Sequence, residues 1–467
     1  MVFSSIPFLF YFLPVFLALY FAVPKKARNA VLLLASLFFY YYGETGYVLL
    51  LVFSSVMDYT ISTFIERNRG KPSAKAALLI SVIGNMLVLG FFKYSDFFIA
   101  NINALLGTSL PLPHIHLPLG ISFYTFQTMS YTIDVYRGQA RPQRNPIDFA
   151  AYVTMFPQLV AGPIVRYQTI GAQLNNRKHS WEDFSIGATR FIIGLGKKVI
   201  IADTLGQLNA AALAATDKAA LFYWLAVVSF MLQIYFDFSG YSDMAIGLGR
   251  ILGFRFLENF NYPFIAKSIS EFWQRWHISM GTWFREYIYI PLGGNRVSRL
   301  KWVRNIAVVW FVTGLWHGAA WNFIAWGLYF GVILALEKLF LMKRLEKTPS
   351  ALRHLYVLVV ITISFVIFHM ESVSAITETL KGMIGLAGVP VVNSESVYAL
   401  KSYGFVLILA AFGATPVLRS LIRKAKQHPK WGTAVDILTP VLNIVLLLVV
   451  IAYMIDSSSN FFLYFRF

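Results

Sequence analysis

Long apolar runs follow one another along this chain, at residues 6–23, 29–43, 46–64, 76–98, 118–135, 186–202, 219–236, 355–370, 402–418 and 437–455. They constrain its fold more than any other feature. A run of about 17–20 residues, wound as an α-helix, matches the hydrocarbon core of a bilayer. Inside lipid every backbone N–H and C=O must be satisfied by the protein itself, so only helices or closed barrels can cross. These runs are continuous, unlike the alternating segments of about ten residues that build a barrel. Only 13% of the residues are charged and 57% are hydrophobic, against about 25% charged in a soluble domain. The expectation is an all-α polytopic membrane protein, a single membrane-embedded domain over residues 1–467.

The 40 Lys and Arg outnumber the 22 Asp and Glu, for a net charge of +18. Their placement accounts for the excess without nucleic acid. With Lys25, Lys26 and Arg28 in the cytoplasm and the sides alternating, Arg67, Arg69, Lys71 and Lys75 fall inside. So do Arg137, Arg141 and Arg144, the stretch from Lys338 to Arg353, and the cluster from Arg419 to Lys430. Outside remain Lys218, Lys381, Lys401 and Arg466, which is the positive-inside pattern. Both termini and the uncharged stretch 99–117 are then expected on the external side. The first basic residue follows the first apolar run, whereas a secretory signal carries its charge ahead of it. Run 6–23 is therefore expected to remain as a membrane helix. A basic cytoplasmic face also suits anionic membrane lipid or the docking of an anionic donor. With no cysteine, disulfides, thiolate metal sites and a cysteine acyl-enzyme are excluded.

Two segments depart from simple spans. Residues 149–165 carry Pro157 and Gly162-Pro163 between basic flanks. The chain is expected to enter and leave there on one face, its irregular backbone covered by protein or lining a water-filled cavity. Residues 237–336 thread polar groups through an apolar background. A helix over about 270–287 is expected, with Ser268 or Ser270 as N-cap and Glu271 paired to Arg275 one turn on. It would set His277 on a face with Trp273, Trp276, Met280, Phe284 and Tyr287, a pattern an interfacial amphipathic helix also gives. Residues 308–336 carry no charge, yet His317 stands within GLWHGAAW, residues 314–321. Helical rise places it on the order of 20 Å from Arg304. The stretch is too short for two full spans and both its flanks are basic. Two short helices meeting at Trp316-His317-Gly318 satisfy both facts. An ionisable side chain at that depth is costly and by default marks function; a histidine that only ties one helix to the next is the alternative.

Together these segments resemble the membrane-bound O-acyltransferase (MBOAT) family, and within it the branch that serves bacterial alginate O-acetylation and peptidoglycan O-acetyl transfer. The likeness rests on MVFSSIPFLFYFLPV at the start, LPLGISFYTFQTMSYTIDVYRG (117–138), FPQLVAGPIVRY (156–167) and YFDFSGYSDMAIGLG (235–249). It continues through ENFNYPFIAKSISEFWQRWHISMGTWFREYIYIPLGGNR (258–296), GLWHGAAWNFIAWG (314–327) and the terminal YFRF, and so covers nearly the whole chain. The LGGNR and YFRF stretches favour this branch over the related one that moves D-alanyl groups onto teichoic acid. One departure is Phe368-His369, where the family pattern has Phe-Arg; in sequence it lies away from the polar centre. The resemblance implies a ring of tilted helices with re-entrant segments and a central tunnel, seated in the bacterial cytoplasmic membrane. Residues 237–336 would form its catalytic region. It maps the family's essential histidine onto His317 and a second polar position onto His277.

Acyl transfer to a hydroxyl needs a base for the hydroxyl proton and donors for the tetrahedral oxyanion, and histidine suits the first task. His317 is expected to be that base, with His277 orienting it or stabilising developing charge. Asp237 and Asp243 are candidate carboxylate partners, Asn261, Arg275 and Asn322 candidate donors to the acyl oxygen, and Trp316 a candidate tunnel residue. The resemblance implies acetyl-CoA or another acyl thioester as donor substrate, with no bound cofactor and no metal. The external tail 456–467 holds Tyr464 among Phe461, Phe462, Phe465 and Phe467, which suits an acyl relay or an aromatic interfacial anchor. The implied partner is an extracytoplasmic SGNH or esterase-like transferase that hands the group to a polysaccharide. Two other classes stay open on the residues alone. A polysaccharide or lipid transporter is one, although no internal repeat is visible. The other is a membrane haem protein with His277 and His317 as axial ligands.

Overall fold

The computed structural model describes residues 1–456, and among them all regular structure is helical. Among the described residues seven helices are long and apolar enough to cross a bilayer: Val48–Arg67, Pro72–Leu106, Ala220–Ile251, Trp321–Leu345, Ser350–His369, Ser394–Gly413 and Gly432–Asp456. The protein is a multi-pass membrane protein. Two of these helices are much longer than hydropathy suggests. Helix 72–106 runs on into the stretch expected to be an external loop, and helix 220–251 continues 32 residues through Asp237 and Asp243. Hydropathy falls at those aspartates but the helix continues, and basic side chains pair with both, which offsets the cost of taking carboxylates out of water. Lys198 Nζ lies 3.0 Å from Asp237, and Arg190 Nη2 lies 2.8 Å from Asp243.

The chain packs as two compact units. One comprises Met1–Phe191 with Ser242–Leu257, the other Ile192–Tyr241 with the residues from Glu258 on. In the first unit, residues 151–165 are buried throughout. Helix Pro146–Thr154 stops at Met155, a single turn Phe156–Leu159 follows, and the chain then leaves helical form. The released polar groups find internal partners. The Phe156 N–H donates to Ser36 Oγ at 3.0 Å, and Gln158 Nε2 donates to the Tyr152 carbonyl at 2.7 Å. The Phe156 ring stands edge-on to Phe12 and Phe16 at 5.2 and 5.1 Å. A Cβ at Gly162 would fall 2.5 Å from Gln158 Cα. Irregular backbone is thus present where Pro157 and Gly162-Pro163 placed it, and protein covers it, as a bilayer demands.

In the second unit, helices Arg299–His317 and Trp321–Leu336 form a hairpin joined by three residues. Their backbones nearly touch. A Cβ on Gly314 would sit 2.3 Å from the Phe323 carbonyl oxygen, and one on Gly327 would sit 2.2 Å from that of Trp310. Small residues at such crossings are how membrane helices gain dispersion contact without a hydrophobic driving force. The expected break falls at Gly318, with His317 the last helical residue.

Candidate active site

His277 does not lie within one helix over 270–287. Helices Ile269–Arg275 and Ile278–Phe284 flank it, and its own backbone is left-handed, at φ +46° and ψ +53°. A non-glycine residue adopts that conformation at a cost on the order of 1–2 kcal/mol, so the surroundings must enforce it. They do so on both sides of the break. Ser268 Oγ accepts the Glu271 N–H at 3.0 Å, and Glu271 Oε1 accepts from Arg275 Nε at 2.9 Å. The buried carboxylate of Glu337 accepts the Ile269 and Ser270 N–H groups at 2.7 and 2.8 Å, satisfying donors that the helix itself leaves open. Across the break the Asn261 N–H donates to the Arg275 carbonyl, and the Ile278 N–H to the Asn259 carbonyl, each at 2.9 Å.

The Asn259 side chain completes the arrangement. Its Oδ1 accepts the Ser279 N–H at 3.2 Å and the Ser279 hydroxyl at 2.9 Å, and stands 3.2 Å from His277 Nδ1. A backbone N–H can only donate, so the amide atom facing it is the oxygen. His277 Nδ1 faces that same oxygen and must carry the ring proton. In the neutral imidazole, Nε2 then holds the lone pair.

His277, at the break between two short helices, and His317, at the end of helix 299–317, line one cavity of about 30 Å³ together with Phe238, Trp273, Trp326 and Phe368. That volume holds on the order of two water molecules. His277 is fully buried and His317 is 6% exposed. The His317 ring is edge-on to Trp326 at 4.8 Å and to Phe368 at 5.5 Å, a geometry that aromatic quadrupoles favour. Trp316 lies 5.1 Å from the His317 ring and 6.0 Å from the His277 ring. A second, far larger cavity of about 1020 Å³ is lined by Arg285, Arg296, Lys338, Gly293 and Gly294. Trp273 belongs to the wall of both cavities.

The other sequence-derived candidates sit apart from this cavity. Asn322 stands behind its wall: Nδ2 donates to the Phe368 carbonyl at 3.0 Å, and Oδ1 is buried with no hydrogen-bond partner among the described residues. Arg275 donates to the Asn261 carbonyl at 3.1 Å, so this pair stitches the backbone around His277. Asp237 lies with Lys198 and Asp203 in a buried ion cluster, Lys198 Nζ being 2.6 Å from Asp203. Asp243 is held by Arg190 in the other unit. Tyr464 falls outside the described residues. The Phe368-His369 departure is closer to the centre than sequence suggests, because Phe368 lines the cavity and His369 stacks on Phe230 at 3.6 Å. Among the described residues no three His, Asp or Glu side chains converge as metal ligands would. Asn259 and Glu337 are the positioning residues that sequence reasoning missed. Glu337 had a signal, as the first charge after the long uncharged stretch 308–336.

Fold and site together define a polytopic membrane protein with two buried histidines at a small cavity. The family model described as MBOAT, membrane-bound O-acyltransferase family, matches residues 139–376, and the chain belongs to that family. It is an acyltransferase. It is similar to "Probable alginate O-acetylase AlgI" of Azotobacter vinelandii, with 44% identity over 80% of this chain and 76% of that one. The protein of the same name from Pseudomonas putida is 38% identical over 100% of both chains. "Peptidoglycan O-acetyltransferase" of Helicobacter pylori is 34% identical over 100% of this chain and 98% of its own.

Proposed function

We propose that this chain moves an acetyl group from a cytoplasmic thioester, acetyl-CoA, across the bacterial cytoplasmic membrane for O-acetylation of an extracytoplasmic polysaccharide. The acceptor class is an alginate-like exopolysaccharide or peptidoglycan, in keeping with the names of the relatives. The observation that carries the reading is the convergence of His277 and His317 on one cavity, with Trp273 walling both it and a larger cationic cavity. Arg285, Arg296 and Lys338 suit the phosphates of a nucleotide-bearing donor. In the transfer, His317 takes the proton of the attacking hydroxyl as its oxygen bonds to the carbonyl carbon. The C–S bond then breaks, and the thiolate recovers that proton from the imidazolium. His277, with Nδ1–H committed to Asn259, offers the Nε2 lone pair to an N–H of the His317 ring, which orients that ring and stabilises the charge it gains.

D-alanyl transfer to teichoic acid is the runner-up within the family. A D-alanyl group brings an ammonium, which needs an anionic partner when buried. Among the described residues no carboxylate lines the cavity of the two histidines, which favours the uncharged acetyl group. Beyond the membrane, an SGNH or esterase-like transferase would receive the group, with Tyr464 on an external tail as the relay hydroxyl and both termini outside. The test is transfer in proteoliposomes loaded with labelled acetyl-CoA, with the partner and acceptor on the opposite side. His317→Ala should lose on the order of 10²–10⁴-fold in rate while inserting normally. Undiminished transfer by well-inserted protein would reject the base, and loss of polysaccharide export instead of acetylation would favour a transporter. Tyr464→Phe keeps an anchor and removes a relay, so full transfer by that variant would reject the relay.

A further inference from the structure

Tyr20, a fully buried ring at the end of the first apolar run, has two guanidiniums close to it. Arg28 Cζ lies 5.4 Å from its centroid and Arg177 Cζ lies 5.7 Å. Hydrogen bonds hold both arginines in place. Arg28 Nη1 donates to His179 Nδ1 at 3.0 Å, and Arg177 Nε donates to Tyr20 Oη at 2.8 Å. The Tyr20 hydroxyl donates to the Leu252 carbonyl at 3.1 Å and lies 3.2 Å from His179 Nε2. An arginine can only donate, so His179 Nδ1 bears a lone pair and Nε2 carries the proton. Burial, then the charges of Arg28 and Arg177, push the His179 pKa down to about 4, so the ring is neutral.

Nothing in the cluster offsets its two positive charges. Among the described residues no carboxylate lies within 4.0 Å of either guanidinium, and Arg28 Nε is buried with no hydrogen-bond partner. Lys25, Lys26 and Lys178 are exposed beside it in sequence, and Lys25 adds to the field on His179. Beside the cations runs an aromatic ledge. Phe21 lies 5.6 Å from the His179 ring and 6.3 Å from Phe184, which is 6.1 Å from Trp181. Trp181 is 87% exposed. Arg177 Nη1 also donates to the Leu174 carbonyl at 2.8 Å. Each guanidinium is thus held along one side and presents its Nη2 amino group, which suits a phosphate oxygen, while exposed aromatics at the level of cations suit the boundary between headgroups and acyl chains.

We propose that Arg28 and Arg177 bind the phosphate of an anionic phospholipid headgroup, with Phe21 and Trp181 against the glycerol and upper acyl region. A free phosphate shares the chemistry of the guanidiniums but has no use for the aromatic ledge. The whole chain, purified in detergent and cleared of native lipid, is titrated with phosphatidylglycerol, phosphatidylcholine or inorganic phosphate. Bound lipid is counted by native mass spectrometry, with thermal unfolding in parallel. Phosphatidylglycerol should bind in preference to phosphatidylcholine and raise the unfolding temperature, and inorganic phosphate at the same concentration should not. The double variant Arg28→Gln, Arg177→Gln should lose on the order of 30-fold in affinity for phosphatidylglycerol. Arg28→Lys with Arg177→Lys keeps the charge without the planar guanidinium and should lose less. Equal affinity of the unaltered chain for both lipids overturns the proposal without any variant. Full protection by inorganic phosphate overturns the lipid as its source, and undiminished phosphatidylglycerol binding by the folded glutamine variant overturns the assignment to these arginines.

Discussion

Asn259 Oδ1 stands 3.2 Å from His277 Nδ1 and also accepts both donors of Ser279. One amide oxygen therefore fixes the tautomer of a ring buried at the cavity. Asn259→Ala should lower kcat on the order of tenfold or more with little change in KM. It should also destabilise the protein by about 1–3 kcal/mol, because buried donors lose their acceptor. Asn259→Asp keeps the acceptor and should recover part of kcat. Steady-state acetylation kinetics with thermal unfolding checks this, and an unchanged kcat in the alanine variant would separate Asn259 from the chemistry.

Glu337 reaches across the second unit to cap helix 269–275. Glu337→Ala should cost about 1–3 kcal/mol and loosen the segment that delivers His277. Limited proteolysis should then cut between residues 269 and 278, where the unaltered chain resists. Glu337→Gln retains one acceptor and should lie between the two.

The hairpin of helices 299–317 and 321–336 leaves no room at Gly314. Gly314→Val should abolish the folded yield, since overpacking costs about 1–3 kcal/mol even where neighbours can move, and here a carbonyl oxygen blocks the site. Gly404→Val is the control, because nothing lies within 4 Å of its Cβ position. Size-exclusion profiles of the two variants decide it.

Trp273 lies in the wall of both cavities. Trp273→Ala should enlarge the space beside the histidines and admit longer acyl groups. The ratio of butyryl to acetyl transfer should rise on the order of tenfold, the scale at which a pocket discriminates a methylene. An unchanged ratio would mean that another group limits chain length.

His179 provides a pH test outside the membrane spans. Its folded pKa of about 4 lies below its ordinary 6.5, so between those values the unfolded chain binds the extra proton. Stability should therefore fall as pH drops from about 6.5 towards 4, on account of this group. The unfolding temperature of His179→Gln should vary less over that window than that of the unaltered chain. Parallel curves would exclude the cluster of Tyr20, Arg28 and Arg177 as the cause.

Sequence was most informative where burial in lipid leaves a one-dimensional trace. The apolar runs marked most of the helices, the broken helix at 156–163 was announced by Pro157 and Gly162, and the histidine in an uncharged stretch pointed to the hairpin turn. It was least informative where polar groups satisfy one another over long separations. Helix 220–251 outruns its apolar pattern because its aspartates meet Lys198 and Arg190, a pairing no local pattern records. The turn at His277 was invisible because left-handed backbone is signalled by Gly or Asn, and a histidine there leaves no mark. Nothing local to Asn259 marks it as the partner that fixes a ring proton.

The left-handed backbone at His277, taken with the role proposed for its ring, predicts that durability and output conflict at a single position. A library of all residues there, sorted for heat tolerance alone, should enrich Gly and Asn, which adopt that conformation at least cost. The same library sorted for acetylated product should return histidine. The gap in melting temperature between the two winners would express, in degrees, how much ruggedness this protein forgoes to keep an imidazole at its cavity.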